Sequence, residues 1–314
     1  MKLPTRVFSF GCLLIIVVLL LYPEKACASA YLGLSLWYDR MIPTLFPFMM
    51  ISAILISYNM VPHFIQLFRP FFRIFFRLPD SGLYTIFIGF LCGFPMGAKT
   101  ISDLYHRDEL SLQQANYLLG FCNNIGPVYF ISFAYPLLSS LPVEFTLPLP
   151  ICLFGMYGIP LLYGILTQPK VIEEGAMSMG SVRQALPFDS IITSNLLSLS
   201  KLAGYMIFFN MLYVLFDNIL IPTPLRILLA LFLEISGGLN RLAQATGNNL
   251  SILPLIGFIM LQFGGISCLF QTLSFTQNTS LSIRQYLKTK GLLTALTSLY
   301  YLLYCAIIFS FDRP

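Results

Sequence analysis

The chain has 314 residues, of which 57% are hydrophobic and only 10% are charged, and its formal net charge is +5. Its mean hydropathy is +0.80. A soluble domain carries about 25% charged residues, so this composition excludes an ordinary soluble protein. Several apolar runs reach the roughly 18 or more residues that cross a bilayer as a helix. They are too long and too evenly apolar for the strands of a membrane barrel. We therefore predict an all-α polytopic membrane protein.

Cysteine and histidine give no sign of a metal site. The seven cysteines lie singly, mostly in apolar runs, without a CxxC pair, and His63 and His106 are far apart. Single cysteines in apolar runs are usually small buried residues. The positive charge is spread along the chain and does not form a nucleic-acid footprint. We expect no metal, no cofactor and no nucleic-acid partner.

The first segment, residues 1–30, has Lys2 and Arg6 before an apolar run at 7–22 and small residues at 26–30. A secretory signal with a small-residue cleavage site has this pattern. An uncleaved first span with its N-terminus inside has it as well. We interpret the segment as an uncleaved span, because an integral protein needs no cleavage to stay in the membrane.

Residues 31–167, the first half, open with an apolar helix and continue with Arg69, Arg73 and Arg77 among several phenylalanines. Spacing of four residues places the arginines on one helical face, which suits a helix lying on anionic lipid headgroups. A plain basic loop is the alternative. Both interpretations place this region on the cytoplasmic side, where Lys and Arg are in excess.

The stretch at residues 88–127 begins as apolar sequence and then breaks at Gly93 and Gly97, just before Lys99 and Asp103. A break in lipid frees backbone groups, each costing several kcal/mol unless protein or a water-lined cavity satisfies them. Transporters build substrate sites near the bilayer midplane from such broken helices. This stretch therefore predicts a binding site.

Four polar side chains follow the break. Lys99 would either face a cavity and seat a carboxylate or phosphate oxygen, or reach to the headgroups as an interfacial lysine. Asp103 is four residues further on and can pair with Lys99 on one helical face. Asn123 and Asn124 stand where the next helix bends, and their amides would bind a polar substrate or a neighbouring helix.

Residues 168–189 are the longest polar segment and are predicted to link the first half to the second half, residues 190–314. In the second half, Glu234 lies within apolar sequence, so it would take a proton or a cation, or pair with Lys201. Counted along the whole chain, the apolar runs predict about eight membrane segments.

The second half also breaks at glycine, within residues 261–291. Aligning Gly93 with Gly264, an offset of 171 residues (264 − 93), also places residues 110–112 on residues 281–283. Interrupted segments at corresponding positions of two halves point to a transporter's binding site. We predict two related halves, each with a broken or re-entrant helical hairpin. The second break offers Gln262, Gly264 and Gly265.

Five motifs occur together: GLSLWYDRMIPTLFPF at 33–48, GFPMGAK at 93–99, LLGFCNNIGP at 118–127, LEISGG at 233–238 and FGGISCLFQ at 263–271. In combination they resemble the YlbJ-like sporulation integral membrane proteins, which carry the nucleoside-recognition Gate domain. The resemblance extends from about residue 33 to the C-terminus. In that family a small residue usually follows GFP, so Met96 is a departure here.

The resemblance implies transport during endospore formation, in the mother-cell or outer forespore membrane, with dipicolinate as the substrate class. The Gate domain is similar to parts of concentrative nucleoside transporters, so a nucleoside is the alternative substrate. Fold-level analogy transfers poorly to the identity of a ligand. Neither substrate follows from composition or spacing.

From these observations we predict a transporter of a small organic anion that works by alternating access, with Lys99 holding the anion. Asp103 and Glu234 are candidates for ion or proton coupling. The cage around the substrate would consist of Gly93, Gly97, Asn123, Asn124, Gln262, Gly264 and Gly265. A non-transporting scaffold is the alternative, although residues 168–189 are short for a partner surface. No catalytic constellation is visible in the sequence, and we expect no enzyme.

Overall fold

The computed structural model describes residues 5–141, 147–169, 186–217, 220–245 and 252–311, and all regular structure in these ranges is helical. Among the described residues, five segments are long and apolar enough to cross a membrane: Pro23–Ser57, Leu149–Leu166, Phe188–Asp217, Leu253–Thr276 and Ile283–Ile308. Arg69–Phe75 and Asp80–Cys92, bent by 94°, make a sixth if counted as one span. The all-α membrane class is confirmed. The predicted number of eight segments is not, because breaks divide several apolar runs into short helices.

The helices of the first half are short and follow one another closely. In chain order they are α1 Thr5–Leu21, α2 Pro23–Leu36, α3 Ile42–Ser57, α4 Val61–Gln66, α5 Arg69–Phe75, α6 Asp80–Cys92, α7 Met96–Tyr105, α8 Leu112–Cys122, α9 Pro127–Tyr129, α10 Tyr135–Ser139, α11 Leu149–Leu153 and α12 Ile159–Leu166. The helices of the second half are α13 Phe188–Leu212, α14 Val214–Asp217, α15 Thr223–Leu233, α16 Ile235–Gln244, α17 Leu253–Phe263, α18 Gly265–Thr276 and α19 Ile283–Phe311. Most of the predicted linker lies outside the described residues.

Three π-helical turns join consecutive helices into longer rods: Trp37–Met41, Phe130–Ala134 and Phe154–Gly158. Each turn ends two residues before a proline, namely Pro43, Pro136 and Pro160. Proline has no N–H to donate, and its ring displaces the carbonyl four residues earlier. A wider hydrogen-bonded turn absorbs this displacement without ending the helix. These prolines therefore shape the rods without dividing them.

Contacts between helix termini define two opposite ends of the bundle. At one end, hydrogen bonds join Ser57 to Leu186, Ser81 to Glu109, and Gln168 to the backbone of Arg77. We call this the arginine end, because Arg69 and Arg73 are also there and pair with Asp80. At the opposite end, Lys25 and Arg226 both pair with Asp217.

The helix that carries the arginines is shorter than predicted. Helix α5 ends at Phe75, and Phe76 has extended backbone dihedrals of −124° and 126°. Arg77 therefore does not share a helical face with Arg69 and Arg73, which corrects the prediction of three arginines on one face. The physical reason is Pro79: in a continued helix its ring would clash with the carbonyl of Phe75, four residues earlier, and it also restricts Leu78 to an extended conformation.

Two helix pairs turn back on themselves at a break. Ser81, at the start of α6, donates to Glu109, which follows α7, at 2.7 Å. Both ends of the α6–α7 pair therefore lie at the arginine end. In the second half, Arg226 near the start of α15 pairs with Asp217, and Arg241 near the end of α16 stacks on Tyr213. Both ends of the α15–α16 pair therefore lie at the opposite end.

Each half contains two breaks, and their spacing along the chain is the same. Glu234 follows Gly93 by 141 residues (234 − 93), and Gly264 follows Asn123 by 141 residues (264 − 123). In helix order the Glu234 break takes the place of Gly93 and the Gly264 break that of Asn123, whereas the predicted repeat aligned Gly93 with Gly264 at an offset of 171. The break that follows α15 has an extended glutamate rather than a glycine.

Candidate functional site

The two breaks of the first half cross at a pair of glycines. Gly93 ends α6 with a φ of +75°, where only glycine is free of strain. A Cβ on Gly93 would overlap the backbone of Gly126, and a Cβ on Gly126 would overlap the carbonyl of Cys92. The backbone N–H of Phe94 also donates to the carbonyl of Asn124. Glycine is therefore required for the two chains to cross at this distance.

The two breaks of the second half cross in the same way. Glu234 is extended between α15 and α16, with φ and ψ of −146° and 117°. Gly264 separates α17 from α18 with a φ of +87°, and Gly265, the first residue of α18, has a φ of +77°. A Cβ on Gly265 would lie 3.0 Å from the carbonyl of Leu231 and 3.5 Å from the backbone nitrogen of Ile235. The α17–α18 break therefore packs directly on the α15–α16 break.

Phe94 joins the two crossings. Its ring lies so close to Gly264 that a Cβ there would approach it to 2.6 Å. The ammonium of Lys290 is 4.6 Å from the centroid of the same ring, within the range of a cation–π contact. Breaks from both halves therefore meet around one aromatic side chain.

Lys290 of α19 is the buried cation at this meeting point, with 0% of its surface exposed. Its ammonium donates to the carbonyl of Asn123 at 2.9 Å and to the side-chain oxygen of Asn124 at 2.8 Å. No carboxylate of the described residues lies within ion-pair distance of it. The positive charge is thus held by neutral oxygens and a ring.

The sequence prediction missed Lys290. It placed the start of the last span near residue 290, where a lysine is an ordinary flanking residue. Helix α19 in fact begins at Ile283, two turns earlier. A signal was available in the spacing, because Lys288 and Lys290 fall on different faces of any helix that starts before them. Lys288 is exposed, whereas Lys290 is buried.

Asn123 ties the first break to its neighbours. Its amide nitrogen donates to Thr272 at 2.9 Å and to the hydroxyl of Tyr286 at 3.1 Å, and its amide oxygen accepts from the backbone of Ala98 at 3.3 Å. The amide nitrogen of Asn124 donates to the carbonyl of Phe121. Gly97 packs against this cluster, since a Cβ there would approach Asn123 to 3.1 Å.

Glu234 is 2% exposed and caps α16 with its own side chain. Its two oxygens accept from the backbone N–H groups of Ser236 at 3.1 Å and Gly237 at 2.6 Å. One of them also accepts from Asn210 at 2.9 Å, and the oxygen of Asn210 accepts from Arg241 at 2.8 Å. A carboxylate at a helix N-terminus is favoured by the helix dipole. Asn210, rather than the predicted Lys201, thus connects Glu234 to a cation.

A small cavity of about 50 Å³ lies at the crossing. We call it the central cavity. Its polar lining residues are Thr44, Tyr129, Glu234, Ser236 and Gln271, and its other walls include Phe94 and Gly126. Ligand pockets usually measure about 300–1,000 Å³, so this cavity has room for water molecules but not for an organic substrate. The crossing is closed in this structure.

Lys99 and Asp103 lie outside the central cavity. The two side chains pair at 2.7 Å and line a separate cavity of about 290 Å³, which we call the lateral cavity. Gln262 lines neither cavity; it is 0% exposed, and neither of its amide atoms has a hydrogen-bond partner. The other predicted residues meet at the crossing: Gly93, Gly97, Asn123, Asn124, Glu234, Gly264 and Gly265.

Comparison with known proteins agrees with this architecture. Residues 39–143 match the Gate family model, described as nucleoside recognition. This segment contains both breaks of the first half. The apolar helices of the described residues are those of an integral membrane protein, and part of its first half is similar to the Gate family.

A segment of 128 residues, 41% of this chain, is 29% identical to the sporulation integral membrane protein YlbJ of Bacillus subtilis (strain 168). The two comparisons confirm the resemblance to the YlbJ-like proteins. The match covers 31% of the length of that relative. No solved structure matches the chain.

Proposed function

We propose that this protein is a membrane transporter, in which a small organic anion passes the crossing of the four helix breaks by alternating access. The observation that carries the proposal is Lys290, a buried lysine at the meeting point of both halves that pairs with no carboxylate in the part of the chain that the structure describes. An ionisable residue within a membrane usually marks a substrate or ion pathway. The positive charge favours an anionic substrate.

The arrangement of the halves supports alternating access. In each half a helix pair turns back at a break and a second broken helix follows. The contacts of Ser81 and Arg226 support turned-back pairs that open toward opposite ends of the bundle. Halves of opposite orientation around a central site are a recurrent transporter design, in which one repeat rocks against the other.

The closed crossing supports the same mechanism. With only about 50 Å³ available, substrate entry requires the two crossings to separate. Phe94 packs between them and contacts Gly264 of the opposite half. In our proposal the Phe94 contact opens toward one side of the membrane at a time, and the substrate replaces the neutral oxygens that now hold Lys290.

We propose dipicolinate as the substrate, carried during endospore formation. It is an aromatic ring with two carboxylates, so its charge suits Lys290 and its ring suits Phe94. The relative that this chain resembles is named a sporulation protein. A nucleoside is the second candidate, favoured by the Gate description and by the amide of Gln271 at the central cavity.

The test is uptake into liposomes that contain the purified protein, with labelled dipicolinate and labelled uridine supplied separately. Dipicolinate uptake that depends on Lys290 is the expected result. Uridine uptake alone would transfer the proposal to nucleosides. No uptake of either compound by correctly folded protein would contradict it and would favour the scaffold alternative.

A further inference from the structure

The lateral cavity is a second polar space, separate from the crossing. At about 290 Å³ it is larger than the central cavity, and the two share no lining residue. Its walls come from the end of α3, from α7 with the turn that follows, and from the start of α13. The bond between Ser57 and Leu186, both of which line it, places it at the arginine end. Its size suits a small organic molecule.

The charged groups of the lateral cavity favour an anion. They are Lys99, Asp103, His106 and Arg107, which together carry one net positive charge when the histidine is neutral. Lys99 and Asp103 neutralise each other at 2.7 Å. Arg107 uses one guanidinium nitrogen on the side-chain oxygen of Asn59 at 3.2 Å. A guanidinium has five N–H donors in a fork that matches a carboxylate.

In contrast to these cationic groups, Asn195 of α13 brings a hydrogen-bond acceptor to the lateral cavity. It lines the lateral cavity, is 0% exposed, and its amide oxygen has no hydrogen-bond partner. Its amide nitrogen is used, since it donates to the carbonyl of Met49 at 3.3 Å. A buried amide oxygen without a donor is uncommon in native proteins. An O–H or N–H group that entered the cavity beside Asn195 would satisfy this oxygen.

We propose that the lateral cavity binds a small carboxylate that also carries a hydrogen-bond donor, such as a hydroxy acid. The carboxylate accepts from Arg107 and Lys99, and the hydroxyl donates to the amide oxygen of Asn195. The ligand therefore bridges the turn after α7 to α13. This assignment does not rest on transport.

The experiment measures the binding of small probes to the full-length protein in detergent micelles by ligand-detected saturation-transfer NMR. The probes are 3-hydroxybenzoate and 4-hydroxybenzoate, with benzoate lacking the donor and phenol lacking the carboxylate. We expect at least one hydroxybenzoate to bind about tenfold more tightly than benzoate, a ratio typical of one well-placed hydrogen bond, and phenol to bind more weakly still. Equal affinities for all four probes, or no binding of any, would overturn the proposal.

Two variants separate the interactions. Asn195→Leu is expected to lower the affinity for the hydroxybenzoates to that of benzoate and to leave benzoate binding unchanged. Arg107→Gln is expected to weaken all three carboxylates about fivefold or more. Arg107 is on a turn near the surface, so this variant stays informative if Asn195→Leu does not fold. Unchanged binding in Arg107→Gln would overturn the assignment of the carboxylate.

The matched control is Ser200→Ala, on the same helix as Asn195 but exposed and bonded only to Leu196 in its own helix. Its probe binding is expected to equal that of the unaltered protein. Failure of dipicolinate uptake with intact hydroxybenzoate binding would refute the proposed transport and leave the lateral site standing. The reverse result would refute only the lateral site.

Discussion

Lys290 and Asn124 are 166 residues apart in the chain, and the ammonium of Lys290 donates to the side-chain oxygen of Asn124 at 2.8 Å. The bond joins the last helix of the second half to the second break of the first half. It places a positive charge where helix breaks of both halves cross.

Replacement of Lys290 tests the proposed anion site. We expect Lys290→Ala to lower dipicolinate uptake into liposomes about tenfold or more, because a charge-assisted hydrogen bond contributes about 1.5–3 kcal/mol. Lys288→Ala is the matched control, since Lys288 is exposed on the same helix. Equal uptake by the two variants at equal protein content would remove Lys290 from the mechanism.

Substitution of Gly93 tests the crossing of the backbones. Gly93→Ala is expected to destabilise the protein strongly, because a positive φ costs a non-glycine residue about 1–3 kcal/mol and its Cβ would overlap Gly126. Gly204→Ala is the control, because a Cβ there meets nothing within 4 Å and alanine is the better helix former. Thermal unfolding in detergent measures both. A Gly93→Ala variant as stable as Gly204→Ala would show that the chains do not cross so closely.

Neutralisation of Glu234 tests ion coupling. Glu234→Gln keeps a side-chain oxygen that can cap α16 but removes the charge, so uptake is expected to lose its response to a proton gradient while passive exchange persists. The measurement compares liposomes with and without an inward proton gradient. Asp217→Asn is the control, because this acid pairs with Lys25 and Arg226 at the end of the bundle. A gradient response that survives in Glu234→Gln would exclude Glu234 as the coupling group.

The turned-back α6–α7 pair makes a prediction about sidedness. A cysteine introduced at Arg73 and one introduced at Asp108 should both react with an impermeant maleimide from the same side of the membrane, because Ser81 and Glu109 are bonded at one end. A cysteine at Arg226 should react from the opposite side. The native exposed cysteines, Cys12 and Cys27, are first replaced by serine. Labelling of positions 73 and 108 from opposite sides would mean that α6 and α7 together cross the membrane.

The arginines beside α5 predict a preference for anionic lipid. Arg73 is more than half exposed, and the apolar Phe71 and Ile74 next to it are exposed as well. Replacing Arg73 and Arg77 by glutamine should reduce stabilisation by phosphatidylglycerol by about 1 kcal/mol per arginine. Unfolding temperatures in mixed micelles measure the effect, with Arg226→Gln as the control at the opposite end. An unchanged lipid response would leave these arginines without a headgroup role.

The helix breaks were largely predictable from local sequence. An apolar run that meets glycine and proline at residues 93–97 cannot continue as a helix, whatever surrounds it. The break at Gly264 follows from the same argument, and the structure has both. The break at Glu234 was not predicted as one, because glutamate is compatible with helices, and its extended conformation depends on Asn210 and on the packing of Gly265.

The local sequence predicted the partner of Lys99 but not the part of the fold that its side chain faces. Its position after the glycine break pointed to the substrate site, yet its side chain pairs with Asp103 and lines the lateral cavity. The direction of a helical side chain depends on the rotation of that helix against its neighbours. Spacing within α7 predicts the pair of Lys99 with Asp103 but not the helix that this pair faces.

The sequence by itself determined the membrane class, the helical architecture and the glycine breaks, because apolarity and backbone freedom are properties of single residues and short runs. Only the tertiary structure decided that four breaks cross at one place, that Lys290 is the cation held there, and that Lys99 is not. The reason is physical: these relationships are made between residues more than 100 positions apart. A short sequence pattern does not indicate which helices pack together, and that packing determines which charged side chains become buried.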